Sequence, residues 1–305
     1  MEIYRSLSTA EKVREKTAAA LGAFDGLHLG HAKVIGKVLG GEFSPSVFTF
    51  SDDPSQELSG KAEYLMTGQD KEHTLEELGI EKLFTVPFHE VKDLEPEDFF
   101  FEVLIGKLNV GLISCGYDFR FGRYARGNTD LLEKLCAEAG IKLEITPDVE
   151  LDGVRISSTA IRELIKDGNI LEAERMLGRA LFFTIEVTRG NQLGRKMGTP
   201  TINQILPAGF VLPKFGVYAS VVTVNGKRYP GVCNIGVKPS IKGEYRPSAE
   251  TWIGGGFNAD IYGENIRTEL YDFIRPEKKF DSLDELWTEI RKNAAEATEI
   301  CSDKL

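Results

Sequence analysis

Cysteine, histidine and long apolar runs are all scarce in this sequence. Its 305 residues include only 4 cysteines and 4 histidines, and no two cysteines stand at the C-x-x-C spacing of zinc or redox motifs. Isolated cysteines exclude a disulfide framework and are typical of reduced thiols in the cytosol. No stretch is long and apolar enough to form a signal peptide or a transmembrane helix. We therefore expect a cytoplasmic protein that does not contact a membrane.

Positive charge is also in deficit. The chain carries 37 Lys and Arg against 47 Asp and Glu, which gives a net charge of -10 and a pI near 5.1. This balance excludes nucleic-acid binding through a general basic surface. We expect small-molecule partners, and any anion among them should be held at a local site. The sequence carries no signal for an oligomeric state.

Short apolar runs alternate with amphipathic segments over residues 1–180. The predicted strands are 18–21, 46–50, 83–86, 110–115 and 141–145, and the predicted helices are 69–78, 96–108 and 129–139. Alternation of this kind implies parallel strand pairing with helices on both faces of the sheet. We predict a first domain with a doubly wound, Rossmann-like parallel sheet, whose ligands bind beyond the carboxyl ends of the strands.

The pattern changes near residue 180. Alternating β-branched and aromatic residues predict strands at 182–187, 217–224, 231–237 and 269–274, separated by turns rich in glycine and proline. Helical periodicity returns only at 283–297. These features predict a second domain, residues 181–305, built as a small antiparallel β-barrel and closed by a C-terminal helix.

A glycine-rich turn joins the first predicted strand to a helix. Gly22 and Gly26 allow a tight exit from the strand, and Gly30 lets the backbone approach a ligand. Free N–H groups and the positive end of the helix dipole favour phosphate at this point. His28 and His31 lie three residues apart and can both donate hydrogen bonds to phosphoryl oxygen atoms. The alternatives are capping or core histidines and, with less support because no cysteine or carboxylate stands at ligand spacing, a zinc site.

Two more stretches of the first domain combine arginine with glycine or hydroxyl groups. Residues 116–123 (GYDFRFGR) directly follow a strand, which places Asp118 at the carboxyl edge; the alternative is a surface turn with solvated charges. Residues 155–162 (RISSTAIR) place two arginines and two hydroxyl residues at a helix start, and arginine can bind phosphate there bidentately. The alternative is an ordinary helix with Ser158 or Thr159 as its N-cap.

The second domain contains a basic loop followed by hard oxygen ligands. Three glycines of this loop let the backbone approach phosphates: Gly190, Gly194 and Gly198. Thr201 and Asn203 follow, and a hydroxyl with an amide carbonyl suits Mg²⁺. The loop lacks the Walker A spacing, and the alternative is a mobile surface loop. Glu250, in an otherwise apolar run, is either a gatekeeper on an edge strand or a catalytic carboxylate.

Taken in chain order, these stretches resemble the bifunctional riboflavin kinase/FAD synthetase family of prokaryotes over nearly the whole chain. The first domain is similar to the family's FMN adenylyltransferase module, an HxGH nucleotidylyltransferase, through GAFDGLHLGH (22–31), GYDFRFG (116–122) and RISSTAIR (155–162). The second is similar to its riboflavin kinase barrel through GTPTIN (198–203), GVCNIG (231–236), Glu250, YG (262–263) and FIRP (273–276). The chain departs from the family's usual residues at Asp53, Thr199, Ile202 and Trp252.

The resemblance implies two ATP-dependent reactions: phosphorylation of riboflavin to FMN, and adenylylation of FMN to FAD with release of pyrophosphate. It implies that His28 and His31 hold the ATP phosphates. Further contacts to ATP in the first domain are implied for Gly22, Phe24, Asp25, Gly30, Arg155, Ser158, Thr159 and Arg162, and contacts to flavin or nucleotide for Asp118 and Phe119. In the barrel it implies that Gly190, Gly194 and Gly198 contact ATP, that Thr201 and Asn203 hold Mg²⁺ and ATP, and that Glu250 accepts the proton of the riboflavin 5′-hydroxyl.

Three other interpretations share part of these features. Class I aminoacyl-tRNA synthetases carry an HxGH turn, but they pair it with a KMSKS motif that this sequence lacks. A pantetheine or nicotinamide adenylyltransferase would leave the barrel without a role. A flavin-binding sensor without turnover remains open, although Thr201, Asn203 and Glu250 favour an enzyme.

Overall fold

A computed structural model describes residues 1–52, 54, 60, 63–189, 201–239, 245–257 and 259–305. Contacts divide the chain into two compact units, Met1–Tyr64 with Gly68–Ser158 and Leu65–Thr67 with Thr159–Leu305. This division lies at 158/159, whereas the predicted functional boundary lies at 180/181. The functional boundary stays a prediction. Within the described ranges, no helix combines the length and apolarity that crossing a bilayer requires.

A six-stranded parallel sheet forms the centre of the first unit. Its strands, in chain order, are β1 (Glu2–Tyr4), β2 (Thr17–Leu21), β3 (Ser44–Phe50), β4 (Lys82–Val86), β5 (Val110–Gly116) and β6 (Lys142–Thr146). Their order across the sheet is β1-β4-β3-β2-β5-β6, and every pairing is parallel. The order reverses between the neighbours β2 and β5, which confirms the doubly wound prediction. In such sheets, ligands bind at the reversal, beyond the carboxyl ends of the strands. A separate two-stranded antiparallel sheet, β7 (Glu150–Leu151) and β8 (Val154–Arg155), follows β6 in the chain.

Helices cover this sheet, and one of them differs from the prediction. The regular ones are α1 (Leu29–Gly36), α2 (Gly68–Glu77) and α4 (Thr129–Ala139). The predicted helix 96–108 consists of α3 (Pro96–Asp98) followed by a π-helix, Phe99–Ile105. The wider turn is stabilised by bonds five residues apart, such as Gly106 N to Phe101 O at 2.9 Å. It brings buried Phe99, Phe100, Val103 and Leu104 into the core.

The second unit is a closed antiparallel barrel with helices α5 (Ser158–Asp167) and α6 (Ile170–Leu177) before it. The barrel strands are β9 (Leu181–Thr188), β10 (Thr201–Ile205), β11 (Gly216–Val224), β12 (Lys227–Pro239), β13 (Tyr245–Ile253) and β14 (Asn265–Pro276), in the order β10-β13-β12-β11-β14-β9. Pairing of β9 with β10 closes the barrel. The C-terminal helix α7 (Leu283–Ile300) packs on β11, β12 and β14. The predicted barrel and closing helix are confirmed.

Side chains alternate between the barrel interior and its outer face. On β10, Ile202 and Gln204 are buried whereas Thr201 is exposed; on β13, Ala249 and Thr251 are fully buried. Because successive residues of a strand point to opposite faces, Glu250 lies on the outer face between two interior residues. The polar residues predicted for the kinase therefore share the outer face.

We expect that Gln204→Leu destabilises the barrel. Gln204 is fully buried, and its Nε2 donates to the carbonyl oxygens of Ile185 at 2.9 Å and Ile266 at 2.7 Å. Its Oε1 accepts from the hydroxyl of Thr268 at 2.7 Å. Leucine fills similar space but leaves three buried polar groups without this partner. We expect the free energy of unfolding of the barrel to fall by about 3 kcal/mol, measured by urea denaturation.

The exposed Gln69 at the start of α2 supplies the matched control. Gln69→Leu removes the same amide from a solvated position, and surface changes of this kind alter stability by about 0.5 kcal/mol or less. Equal effects of the two substitutions would contradict the buried network.

Candidate active sites

The loop that leaves β2 at the sheet reversal has an unusual backbone. Phe24, Gly26 and Leu27 all have positive φ angles, of 48°, 78° and 44°. Glycine adopts this region readily, but two larger residues do so only when their surroundings hold them. Phe24 is 1% exposed, so its buried ring fixes the loop. The short 3-10 turn Asp25–Leu27 then directs the chain into α1.

Side chains from three other elements hold the carbonyl groups of this loop. The Ala23 oxygen accepts from Thr49 Oγ1 at 2.9 Å and from Lys71 Nζ at 3.1 Å. The Asp25 oxygen accepts from Ser158 Oγ at 3.0 Å. The loop is therefore fixed before any ligand arrives, as preorganised binding requires.

His28 and His31 lie together at the N-terminus of α1. His28 is the N-cap, and its Nδ1 accepts from the backbone N–H of His31 at 3.3 Å. The two imidazole rings stack with centroids 3.6 Å apart and planes 15° apart. Because Nδ1 of His28 is an acceptor, the neutral ring carries its proton on Nε2, which can donate to a ligand. A Cβ atom at Gly30 would lie 3.1 Å from the His28 ring, so glycine leaves room for this arrangement.

The surroundings of His31 keep its imidazole neutral. Burial, and to a lesser degree the neighbouring His28 and Lys71, lower the pKa of His31 well below its usual 6.5. The ring of Phe24 meets it edge-on at 5.3 Å. A neutral imidazole donates one hydrogen bond without adding a charge. His31 is therefore a hydrogen-bond donor at neutral pH.

The lowered pKa of His31 predicts a loss of stability in mild acid. Below pH 6.5 the unfolded chain binds a proton at His31 that the folded protein does not, so stability decreases as the pH falls. One such group changes the free energy of unfolding by at most about 1.4 kcal/mol per pH unit. We expect His31→Asn to reduce the dependence of this free energy on pH between 7 and the lowered pKa. Urea denaturation at several pH values measures it.

His73 supplies the control for this measurement. It lies on α2 with its side chain 64% exposed, 3.3 Å from Glu77. His73→Asn removes an imidazole from the solvated surface and gives the reference for the general effect of replacing a histidine. An unchanged slope in His31→Asn would contradict the assignment.

A cavity of about 310 Å³ opens beside the histidine pair. It lies beyond the carboxyl ends of β2, β5 and β6, where the sheet reversal places ligands. Its volume falls within the usual range for small-molecule sites. Most of the residues predicted for the first domain line it: Gly22, Phe24, His28, Gly30, His31, Asp118, Phe119, Arg155 and Ser158.

Arg155 is held by two carboxylates at the cavity. Its Nη2 lies 2.5 Å from Asp118 Oδ2, and its Nε lies 2.7 Å from Asp148 Oδ1. Its guanidinium also lies 5.3 Å from the ring centroid of Tyr117, and Asp118 and Asp148 raise its pKa. One of its five N–H donors is thus hydrogen-bonded to Asp118, and Asp148 adds an ion pair.

Other residues depart from the sequence interpretation or were missed by it. The N-cap expectation for Ser158 or Thr159 is wrong, because α5 begins at Ser158 and the preceding residue is Ser157. The Ser158 hydroxyl binds the β2 loop instead of capping its own helix. Thr159 and Arg162 lie in the first turns of α5, within the second unit. Several cavity residues were not predicted, among them Tyr117, Thr146 and Asp148. The end of the predicted strand 141–145 was a usable signal for Thr146 and Asp148.

The polar residues of the barrel meet on its outer face. Glu250 pairs with Asn203 on β10 and with Asn234 on β12. Nδ2 of Asn203 donates to Thr188 Oγ1 at 3.2 Å, so Oδ1 is the atom of that amide left to take a cation. Because β13 is paired on both sides, the edge-strand alternative for Glu250 is wrong. Asn234 was missed, although it is the polar residue within an apolar strand pattern.

Three of the predicted kinase residues lie outside the described residues: Gly190, Gly194 and Gly198. The same holds for Asp53 and Thr199, two of the positions at which the chain departs from the family's usual residues. Thr201 is described and exposed, two residues from Asn203 on the same face of β10. Thr201, Asn203 and Glu250 together present hydroxyl, amide and carboxylate oxygens, a donor set that suits Mg²⁺. In the part of the chain that the structure describes, no three His, Cys, Asp or Glu residues cluster as a metal site.

Two protein-family models match the chain, FAD synthetase over residues 10–160 and riboflavin kinase over residues 177–301. The bifunctional riboflavin kinase/FMN adenylyltransferase of Bacillus subtilis (strain 168) is 38% identical over 293 residues, which cover 92% of this chain and 92% of that protein. The protein of the same name from Escherichia coli (strain K12) is 33% identical over 308 residues, covering 98% and 97%.

Among solved structures, the crystal structure of a macrolide-efflux protein from Streptococcus pneumoniae matches with a TM-score of 0.83 and 29% sequence identity. It covers 95% of this chain and 96% of that one. The match therefore takes in both the parallel-sheet and the barrel residues.

Proposed function

Because the chain belongs to the bifunctional riboflavin kinase/FMN adenylyltransferase family, we infer that it makes flavin cofactors in two ATP-dependent steps. Riboflavin is phosphorylated to FMN, and FMN is adenylylated to FAD with release of pyrophosphate. We propose that the cavity beside His28 and His31 performs adenylyl transfer and that the outer face around Glu250 performs the kinase reaction. The main support for adenylyl transfer at this cavity is the stacked histidine pair at a helix N-terminus, because such a site is suited to bind polyphosphate.

In adenylyl transfer, a phosphate oxygen of FMN attacks the α-phosphorus of ATP. The new P–O bond forms as the bond to the bridging oxygen of pyrophosphate breaks, so no covalent enzyme intermediate is needed. His28 and His31 donate hydrogen bonds to the phosphoryl oxygens as negative charge develops. The proposed phosphate ligands are still Arg155, Ser158, Thr159 and Arg162. Arg155 would bind phosphate through the N–H groups that do not face Asp118 or Asp148.

In the kinase reaction, the 5′-hydroxyl of riboflavin attacks the γ-phosphorus of ATP. Glu250 orients this hydroxyl and accepts its proton, and a loose phosphoryl-transfer transition state does not require a stronger base. Thr201 and Asn203 are the proposed ligands for Mg²⁺, supported by their oxygen donors on the face shared with Glu250. When bound, Mg²⁺ neutralises charge on the phosphates.

The composition supports two further proposals. An acidic chain favours small phosphorylated substrates at local sites over nucleic acid. All four cysteines are buried free thiols, which supports a reducing compartment, the cytoplasm.

A time course of flavin products tests the proposed function. Incubation with riboflavin, ATP and Mg²⁺, followed by chromatography, should give FMN first and FAD later. Supplied FMN with ATP and Mg²⁺ should give FAD directly. Flavin binding without any product would contradict the function and favour a sensor.

A further inference from the structure

Lys71 lies on α2 and contacts the loop between β2 and α1. Its Nζ donates to the Ala23 oxygen at 3.1 Å, and α2 belongs to the same compact unit as that loop. From β3, Thr49 Oγ1 donates to the same oxygen at 2.9 Å. Among the described residues, the lining of the cavity includes Ala23 but neither Lys71 nor Thr49. Any effect of Lys71 on adenylyl transfer therefore passes through the loop or through its charge.

The Ala23 carbonyl group bears directly on the residue that follows it. The φ angle of Phe24 is the rotation about its N–Cα bond, measured from the carbonyl carbon of Ala23. It is 48°, a left-handed value that a bulky residue keeps only when its surroundings hold it. Because Lys71 and Thr49 both donate to one carbonyl oxygen, they fix the peptide plane before Phe24 and help to keep this value.

Phe24 in turn contacts the histidine pair. Its buried ring meets the His31 ring edge-on, with centroids 5.3 Å apart. A Cβ atom at Gly22 would lie 3.1 Å from the Phe24 ring, so the ring packs closely against the backbone at the end of β2. The rings of His31 and His28 stack at 3.6 Å. A change at the Ala23 carbonyl therefore reaches both imidazoles through Phe24.

Lys71 differs from Thr49 in carrying a positive charge. Burial is the main cause of the lowered pKa of His31, and the charges of His28 and Lys71 lower it further. The ammonium group of Lys71 thus acts electrostatically on His31. A cation at this position also stabilises the negative charge that phosphate groups bring to the imidazole, because opposite charges attract strongly where little water separates them.

We propose that Lys71 is a positioning residue for adenylyl transfer, which holds the Ala23 carbonyl group and places a positive charge beside the histidine pair. The proposal rests on adenylyl transfer at His28 and His31. Because Lys71 acts through the loop and not by contact with the nucleotide, its loss should lower kcat and leave the KM for ATP nearly unchanged.

Two substitutions at Lys71 test the kinetic effect. Lys71→Met keeps the length of the side chain but removes its charge and its N–H donors, whereas Lys71→Arg keeps both. In FAD formation from supplied FMN, we expect Lys71→Met to lower kcat about 10-fold and to change the KM for ATP less than about 2-fold. Lys71→Arg should recover most of the rate. Lys134→Met, at an exposed position on α4, is the matched control and should leave the rate unaltered.

Titration of the His31 imidazole, followed by NMR on the free protein, gives a readout besides activity. Removal of a neighbouring positive charge raises the pKa of a histidine, so in Lys71→Met the His31 signal should begin to shift at a higher pH. In Lys71→Arg it should shift as in the wild type. Thr49→Val removes a donor to Ala23 without changing the charge, so we expect a kcat about 3-fold lower and an unmoved titration. The spectrum of His31→Asn assigns the signal.

Three outcomes overturn the proposal. An unchanged kcat in Lys71→Met would mean that the contact with Ala23 does not support the reaction. A raised KM for ATP at an unchanged kcat would place Lys71 in contact with the nucleotide. Equal losses in Lys71→Met and Lys71→Arg, with the His31 titration unmoved, would reduce Lys71 to a packing role.

The proposal and the adenylyl transfer on which it rests can fail separately. Riboflavin phosphorylation by the same preparations reports whether each variant folds. Failure of the wild type to convert FMN to FAD would reject adenylyl transfer itself. The His31 titration would still report in that case whether the charge of Lys71 acts on the histidine pair.

Discussion

His31→Ala should reduce FAD formation by about 10²- to 10³-fold, the usual effect of removing one donor that stabilises developing charge. Riboflavin phosphorylation to FMN should continue at the wild-type rate. The reason is local: His31 stacks on His28 at 3.6 Å and lines the cavity at the sheet reversal, whereas the proposed kinase residues lie on barrel strands. Separate assays, FMN with ATP for FAD and riboflavin with ATP for FMN, measure the two rates.

His73→Ala is the matched control, because it removes an exposed imidazole from α2. Both reactions should then proceed at wild-type rates. Loss of FMN and FAD formation together in His31→Ala, with the protein still folded, would contradict the division of labour between the two sites. An unaltered rate of FAD formation would remove His31 from the mechanism.

Glu250→Gln should have the reverse effect. The amide keeps the size of the side chain but cannot accept the proton of the riboflavin 5′-hydroxyl, so we expect FMN formation to fall by about 10²-fold or more. FAD formation from supplied FMN should be unaffected. Because Glu250 lies between Asn203 and Asn234 on the outer face, the substitution leaves the barrel interior unchanged. We therefore expect no change in thermal stability.

Glu299→Gln, an exposed position near the end of α7, is the control for this change of charge. It should leave both rates unaltered. A fully active kinase in Glu250→Gln would place the proton acceptor elsewhere. A joint loss of both activities would indicate that the substitution acts through folding.

Local residue patterns were enough to predict which helices and strands this chain forms. The spacing of apolar residues and the positions of turn residues are local signals, read within about ten residues of the chain. They predicted the bounds of strands such as β5 and helices such as α4 closely. The prediction of the glycine turn also used local information only. His28 and His31 are three positions apart, and the residues on either side of them indicate a strand followed by a helix. The change of pattern near residue 180 likewise predicted a barrel after a parallel sheet.

Which distant segments pair with each other became visible only in the folded protein. The reversal between β2 and β5 brings Thr146 and Asp148 to one cavity with His28, although more than a hundred residues separate them in sequence. Because β13 pairs with a strand on each side, Glu250 lies on a central strand and not on an edge. Ser158 was expected to cap its own helix, but its hydroxyl donates to the Asp25 oxygen of the β2 loop. Local pattern specifies which face of an element is buried, but strand order and burial depend on contacts between segments far apart in the chain.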